Sequence, residues 1–279
     1  MTNVIFIADY FIDQVGGGGE LNNEELIKIL GKRGCVVNKI LSRTVNPEFV
    51  EENSNQNFIV ANFANLNAES KEALYNKKYI IYEHDHKYLL ERNPSLYEGY
   101  IAPPEKIINF DFYKNADVVI CQSQFHENIV RNNLKLDNII NMGGNLWSEE
   151  ALDFLEEINN CTKKEACSIM LSNIDHKNTN DAIKYCSLQR KKYELIPPLP
   201  YYDFLKRLGT NDTLVFLPKT PETLSRIVVE ARMMGMRVIT NNRVGAAKEE
   251  WFSLKGKELI EVIRHKREEI SNKVLEYLN

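Results

Sequence analysis

The chain has 279 residues, of which 43% are hydrophobic and 27% charged, with a formal net charge of −4. At roughly 150 residues per domain, this length predicts about two domains. The composition is that of globular material and excludes disorder. The negative balance excludes a global attraction to nucleic acid or anionic membrane, although a local basic patch stays compatible with it. Five cysteines, Cys35, Cys121, Cys161, Cys167 and Cys186, include no C-x-x-C pair and lie mostly in apolar runs. They read as core residues in a reducing compartment. No apolar stretch approaches the ~18 residues of a membrane span. The opening MTNVIFIADYF reads as a buried strand and not as a signal peptide, because it lacks a basic region and contains Asp9. The expected location is therefore cytoplasmic, or the host cytoplasm for a viral protein.

In chain order, a first strand at Val4–Ala8 leads into the glycine run Gly16–Gly19. A helix with Leu21, Leu26, Ile29 and Leu30 follows, ending near Gly34. Further strands are expected at 35–41, 58–61, 79–82 and 116–121, with Ser123 as N-cap of the next helix and Ile139–Ile140 closing this half. The polar, acidic stretch 148–164 is read as a linker. A second α/β set then runs through the strands CSIML, YELI, TLVFL and RVITN, with helices around 181–190, 201–208 and 224–234. Leu259, Ile263, Ile270, Val274 and Leu278 recur at helical spacing, so the chain should end in an amphipathic helix. The fold class is α/β. Rossmann-like domains over 1–147 and 165–257 follow, with parallel sheets and a final helix at 258–279. Ligands of such sheets bind at the carboxyl ends of the strands, so a cleft between two facing domains is the expected site.

Four segments could carry chemistry. In FLPKTPETLSRIVVEARMMGMRVITNN, Glu222 and Glu230 lie eight apart, which puts them within about 80° of one face if both are helical. The N–H groups of Thr223, Leu224 and Ser225 at a helix start would suit a diphosphate, and a carboxylate at 230 can accept ribose hydroxyls. The plain alternative is that Glu222 complements its helix dipole and Glu230 is a surface residue. Lys177, in SIMLSNIDHKNTNDAIKYC, reads by itself as a solvated turn residue. Gly17, Gly18 and Gly19 allow positive φ and close approach to a ligand, or form a flexible loop. The run is neither a P-loop nor a dinucleotide fingerprint, since no GK[ST] follows and the G-x-G-x-x-G placement is wrong. In YIIYEHDHKYLL, His84 and His86 could serve the structure or bind a metal. No further ligand cluster accompanies them, so no metal is assigned.

The pattern P-E-T-L-S-R-x-V-V-E-A resembles the E-x7-E region of retaining GT-B glycosyltransferases of the family 4-like group. The resemblance runs from Gly16 to about Trp251. It implies a GT-B fold in which the C-terminal helix crosses back to the first domain. It also implies that Glu222 lies near the donor sugar, that Glu230 holds the ribose, and that Lys177 and the glycine run approach the diphosphate. One of His84 and His86 would contact the sugar, and Glu222 and these histidines are the candidate catalytic residues. Where the family has Gly-Phe-Gly after the first glutamate, this chain has Thr223-Leu224-Ser225. Where glycine follows the lysine, it has Asn178. The family arginine falls near Asn173, and Arg226 or Lys219 could replace it. A strand–helix unit between Arg190 and Tyr193 is missing, so the second sheet should hold four strands.

The function implied is transfer of a sugar from a nucleoside diphosphate sugar, UDP- or GDP-linked, to a hydroxyl acceptor, with retention and without a metal or other cofactor. The acceptor ranked first is a glycan. Modified DNA of the kind glycosylated by phage-type enzymes is the alternative, and a basic rim of Lys32, Arg33, Lys87 and Arg92 would favour it. A nucleotide-sugar epimerase and an inactive nucleotide-sugar-binding module are the remaining alternatives.

Overall fold

The computed structural model describes residues 2–279 and divides into two compact units, residues 2–146 with 267–279, and 147–266. In the first unit the chain runs β1 (Asn3–Ala8), α1 (Gly18–Lys32), β2 (Val36–Leu41), α2 (Pro47–Glu52), β3 (Asn57–Val60), α3 (Ala68–Leu74), β4 (Tyr79–Tyr82), α4 (Phe110–Lys114), β5 (Val118–Cys121), α5 (Gln124–Leu134) and β6 (Ile139–Asn141). The second unit contains α6 (Glu149–Asn159), β7 (Lys164–Met170), α7 (Thr179–Leu188), β8 (Tyr193–Ile196), α8 (Tyr201–Leu208), β9 (Asn211–Phe216), α9 (Arg226–Met233) and β10 (Arg237–Thr240). Helix α10 (Gly256–Leu278) ends the chain.

All strands pair in parallel, in the orders β2-β1-β3-β4-β5-β6 and β10-β9-β7-β8. The strand positions expected from the sequence are met to within a few residues. The central strands are near-continuous apolar runs because a parallel sheet is covered on both faces. Successive side chains point to opposite faces. Ile5 and Ile7 of β1, Phe58 and Val60 of β3, and Tyr79 and Ile81 of β4 thus build one cluster. Val4, Phe6, Ile59, Ile80 and Tyr82 build the other, together with Leu26 and Leu30 of α1.

One boundary differs from the sequence reading. The 148–164 stretch is not a linker. Ser148 caps α6, its side chain accepting from the Ala151 N–H at 3.2 Å. Ala151, Leu152, Leu155 and Ile158 then sit buried in the core of the second unit. Acidic residues on the opposite face dominated the composition and hid this stripe, whose spacing is nonetheless helical. The final helix serves both units. Leu259, Ile260 and Ile263 join the core of the second, whereas Ile270, Val274 and Leu278 join the core of the first. Arg267 of α10 meets Glu25 of α1 as a buried ion pair. Helix α9 stops where glycine was expected to stop it. Gly235 has φ +78°, and the Met236 N–H bonds back to the Ala231 carbonyl at 2.9 Å.

Leu155→Ala should cost about 2–5 kcal/mol of stability in urea unfolding, the range for a buried leucine. A linker residue would cost nearly nothing.

Candidate functional site

In each sheet the chain starts at an inner strand, moves to one side and then returns to the other. The switch points lie between β1 and β3 in the first unit and between β7 and β9 in the second. Loops leaving these strands diverge there, which opens a crevice at the carboxyl ends.

In the second unit the loops after β7 and β9 are tied together. The Lys219 N–H donates to the His176 carbonyl at 2.9 Å, and Asn178 Nδ2 donates to the Leu217 carbonyl at 2.7 Å. Between these ties Lys177 Nζ lies 2.8 Å from Glu222 Oε1, both side chains being largely buried. Two residues named from separate segments of the sequence therefore form one charge pair. Lys219 reaches Asp175 instead, at 2.7 Å.

Glu222 is not at a helix entrance. Its N–H donates to the Arg243 carbonyl at 2.7 Å, and its carbonyl accepts from the Gly245 N–H at 2.9 Å, in a parallel bridge to Val244. Helix α9 begins only at Arg226. The shared-face argument for Glu222 and Glu230 thus fails. So does the placement of Thr223, Leu224 and Ser225 in a first helical turn. Ser225 breaks the run, with φ 76° and ψ 87°. Leu224 is fully buried in the hydrophobic core.

That break explains the departures from the family pattern. Asn178 and Ser225 both stand where the resemblance expects glycine, and both adopt the left-handed conformation that favours glycine, at φ 59° and 76°. Asparagine tolerates this region well. Serine does so poorly, and the Ser225 hydroxyl is buried without a hydrogen-bond partner.

Glu230 is buried, with 3% of its surface exposed, and its surroundings were not foreseen. Oε1 accepts from the Trp147 indole N–H at 2.9 Å and from the Tyr201 hydroxyl at 2.7 Å. Arg226 Nε stands 3.5 Å from the same oxygen, and its guanidinium lies 4.2 Å from the centre of the Trp147 ring. Burial, then the Glu230 charge, pushes the Tyr201 phenol far up, so it stays a proton donor. Arg226 thus gathers with Glu230. Trp147 could have been suspected from the sequence only as a tryptophan needing an acceptor for its N–H.

In the first unit the glycine run is a helix start. Gly17 is the N-cap of α1 and Gly18 its first residue. None of Gly16 to Gly19 has positive φ. A Cβ on Gly17 would displace only the flexible Glu20 carboxylate, at 2.3 Å, and one on Gly19 would make ordinary contact with the His84 ring at 3.6 Å. Burial raises the pKa of the Glu20 carboxyl, which accepts from Asn62 Nδ2 at 3.3 Å.

His84 and His86 separate clearly. His84, half-buried after β4, contacts Asn23 Oδ1 through Nε2 at 2.5 Å and Gln122 Nε2 through Nδ1. Both ring nitrogens are thus engaged by amide side chains. His86 is buried, with Nδ1 3.2 Å from the Tyr88 hydroxyl and Nε2 without a partner. It packs edge-on to buried His126 at 5.2 Å. Burial lowers the His86 pKa to about 4 and drives His126 down as well. His86 therefore belongs to the core. Among the described residues no group of three or more His, Cys, Asp or Glu side chains is placed to hold a metal ion.

Three of the four residues named for a basic rim, Lys87, Arg92 and Arg33, are paired with carboxylates. Lys87 is buried, 3.0 Å from Glu83 and 2.8 Å from Asp85. Burial opposes its charge, but the two carboxylates outweigh this and raise its pKa. Arg92 pairs with Asp85, and Arg33 with Glu268. Four of the five cysteines are buried, Cys161 is exposed, and all are free. No helix among the described residues is long and apolar enough to cross a membrane.

No protein-family model matches the chain, and no curated protein is similar to it in sequence. Solved structures do match in fold. HepE of Anabaena, in complex with UDP and glucose, superposes with a TM-score of 0.55 at 12% identity, over 97% of this chain and 90% of that one. An α-glucosyltransferase in complex with UDP gives 0.51 at 10% identity, over 99% and 92%. The α-glucosyltransferase in complex with UDP and a 13-mer DNA containing a HMU base gives 0.50 at 10%, over 99% and 94%. The fold of this chain is that of the GT-B glycosyltransferases.

Ser225→Gly should raise stability by about 1 kcal/mol in thermal or urea unfolding, because it relieves the left-handed strain and removes an unpartnered hydroxyl. A loss of stability would contradict the strained reading. A histidine held neutral in the core destabilises as acid charges it in the unfolded chain. Stability should therefore fall as pH drops from about 6.5 towards 4, by up to about 1.4 kcal/mol per pH unit for each such histidine. His86→Gln should flatten this slope in urea titrations run between pH 7 and 4.5.

Proposed function

We propose that the chain is a glycosyltransferase that moves a sugar from a nucleoside diphosphate sugar, UDP- or GDP-linked, to a hydroxyl acceptor of glycan type. The observation that carries this reading is the Lys177–Glu222 pair at the switch point of the second sheet. It is flanked by two non-glycine residues held in glycine conformations. Holding a backbone in a sparsely populated conformation is costly, and such residues cluster at functional sites. The UDP and UDP-glucose held by the neighbours of the same fold support a donor of this class.

In this reading the pair is a placeholder. The donor diphosphate takes Lys177, and Glu222 is released towards the sugar. The bond from the anomeric carbon to the diphosphate oxygen breaks with its electron pair on that oxygen, and a bond to the acceptor oxygen forms as the acceptor hydroxyl's proton passes to the leaving diphosphate. Lys177 and the first N–H groups of α9 oppose the charge growing on the leaving diphosphate. Transfer proceeds with retention and without a metal. With both ring nitrogens engaged by Asn23 and Gln122, His84 does not shuttle a proton.

A second acceptor reading, modified DNA, is favoured by the neighbour that holds DNA with a HMU base. The pairing of Lys87, Arg92 and Arg33 with carboxylates weighs against it.

A panel of UDP-, GDP-, ADP- and CDP-sugars should contain one that raises the unfolding temperature. A ligand at 100 times its Kd adds about 2.7 kcal/mol to stability. The Lys177→Ala variant should lose most of this shift. A panel with no stabilising member would sink the proposal, as would an unchanged response in that variant.

A further inference from the structure

Helices α8 and α9 pack on one face of the second sheet, with Leu205, Leu208, Val228 and Val229 in the main core of that unit. On the other face Ala182 and Cys186 of α7 join Cys167, Ile169 and Val215 in a smaller cluster. The chain passes from α7 to β8 through four residues only, 189–192, where the strand–helix unit is missing. A cavity of about 670 Å³ opens beside this turn. Its walls are the first residues of β7, the turn itself, and the starts of β9 and β10. It therefore lies at the amino ends of the strands, away from Lys177 and Glu222. The seven residues of β7, roughly 20 Å of strand, separate the two ends.

The cavity is positively charged although the chain is not. Five of its lining side chains are cations and two, Glu165 and Asp212, are carboxylates, in a protein of net charge −4. Arg237 is paired with Asp212 at 2.7 Å. Lys164, Arg190, Lys191 and Lys192 are exposed and make no ion pair among the described residues. Like charges around a concave surface repel one another and focus their field into it. Arg190 supplies an independent observation. It follows α7 in the left-handed conformation, φ 51°, with its N–H on the Ser187 carbonyl and the Lys191 N–H on the Cys186 carbonyl, at 3.1 and 2.9 Å. Glycine fills this helix-ending position with least strain. Here it is held by an arginine whose side chain lines the cavity.

We propose that this cavity is a second ligand site, for a small anion that carries two phosphate groups. Two phosphates bring about −1.5 to −2 charge each, which matches the excess of five cations over two carboxylates. The Arg190 fork can donate to two phosphate oxygens at once, and the lysines act as point charges. The volume is of small-molecule size, which favours such an anion over the backbone of a nucleic acid. The proposal is independent of the donor reading, since the cavity shares no residue with the Lys177–Glu222 pair.

The test is calorimetric titration of the full chain with inorganic diphosphate and with a sugar bisphosphate. It is run in a Lys177→Ala background, which removes the cation of the first site. The two arms distinguish free diphosphate from phosphates borne on an organic ring. At least one probe should bind with one-to-one stoichiometry. Lys191→Gln with Lys192→Gln should weaken it about 10-fold or more, and Arg190→Gly several-fold. Arg190→Gly should at the same time raise the unfolding temperature, because it relieves the left-handed strain. Its loss of binding is then not a loss of fold. Undiminished binding in these variants overturns the proposal, as does failure of both probes to bind. A duplex oligonucleotide that binds more tightly than either probe, and loses affinity in the same variants, also overturns it by assigning the face to nucleic acid.

Discussion

Parallel pairing is the constraint on which the rest of this structure depends. Every strand of a parallel sheet ends on the same edge as its neighbours, so the loops that follow are gathered together whatever their sequence. Where the strand order reverses, adjacent loops leave in opposite directions and a crevice remains. Lys177 and Glu222 are distant in the chain, but each follows a strand flanking the reversal between β7 and β9. Asp9 shows the same constraint in the first unit. It follows β1 and accepts from the N–H groups of Ala64 and Asn65, in the loop after β3, at 2.9 and 3.0 Å.

Charge inside these units is matched group by group. Glu83 is sealed, yet it receives Lys87, the Tyr113 hydroxyl and the Asp85 N–H. Glu25 receives Arg267. An unmatched buried charge would cost several kcal/mol, so each carboxylate dictates its partners. Glu230 receives the Trp147 N–H and the Tyr201 hydroxyl on one oxygen. Ser225 departs from this pattern: a left-handed serine with an unpartnered hydroxyl is retained at the edge of the same site.

Much of the fold was legible because the signal was local. Apolar runs such as VIFIA, YIIY and DVVIC can only be strands covered on both faces, and Gly235 stops a helix by its own conformational freedom. Helix α6 was missed because a count of acidic residues outweighed the spacing of Leu152, Leu155 and Ile158. The site was legible by type and less by geometry. The motif named Lys177, Glu222 and Glu230, but the helix was read through Thr223–Ser225, where no residue announces a break. A serine at 225 does not by its own residue type announce a positive φ, which the chain adopts between the bridge of Glu222 to Val244 and the start of α9.

The sequence by itself determined the α/β class, the places of the strands, the four-stranded second sheet and the residues with the chemistry to meet a diphosphate and a diol. These follow from periodicity and from functional groups, which are properties of short stretches. The tertiary structure alone decided that Lys177 meets Glu222, that His84 is half-exposed while His86 is entombed, and that Lys87 and Arg92 neutralise carboxylates. It alone decided that Trp147 and Tyr201 converge on one oxygen of Glu230. Each of these is a contact between segments far apart in the chain, fixed by how strands are ordered and which face a side chain is given, and no local pattern encodes it.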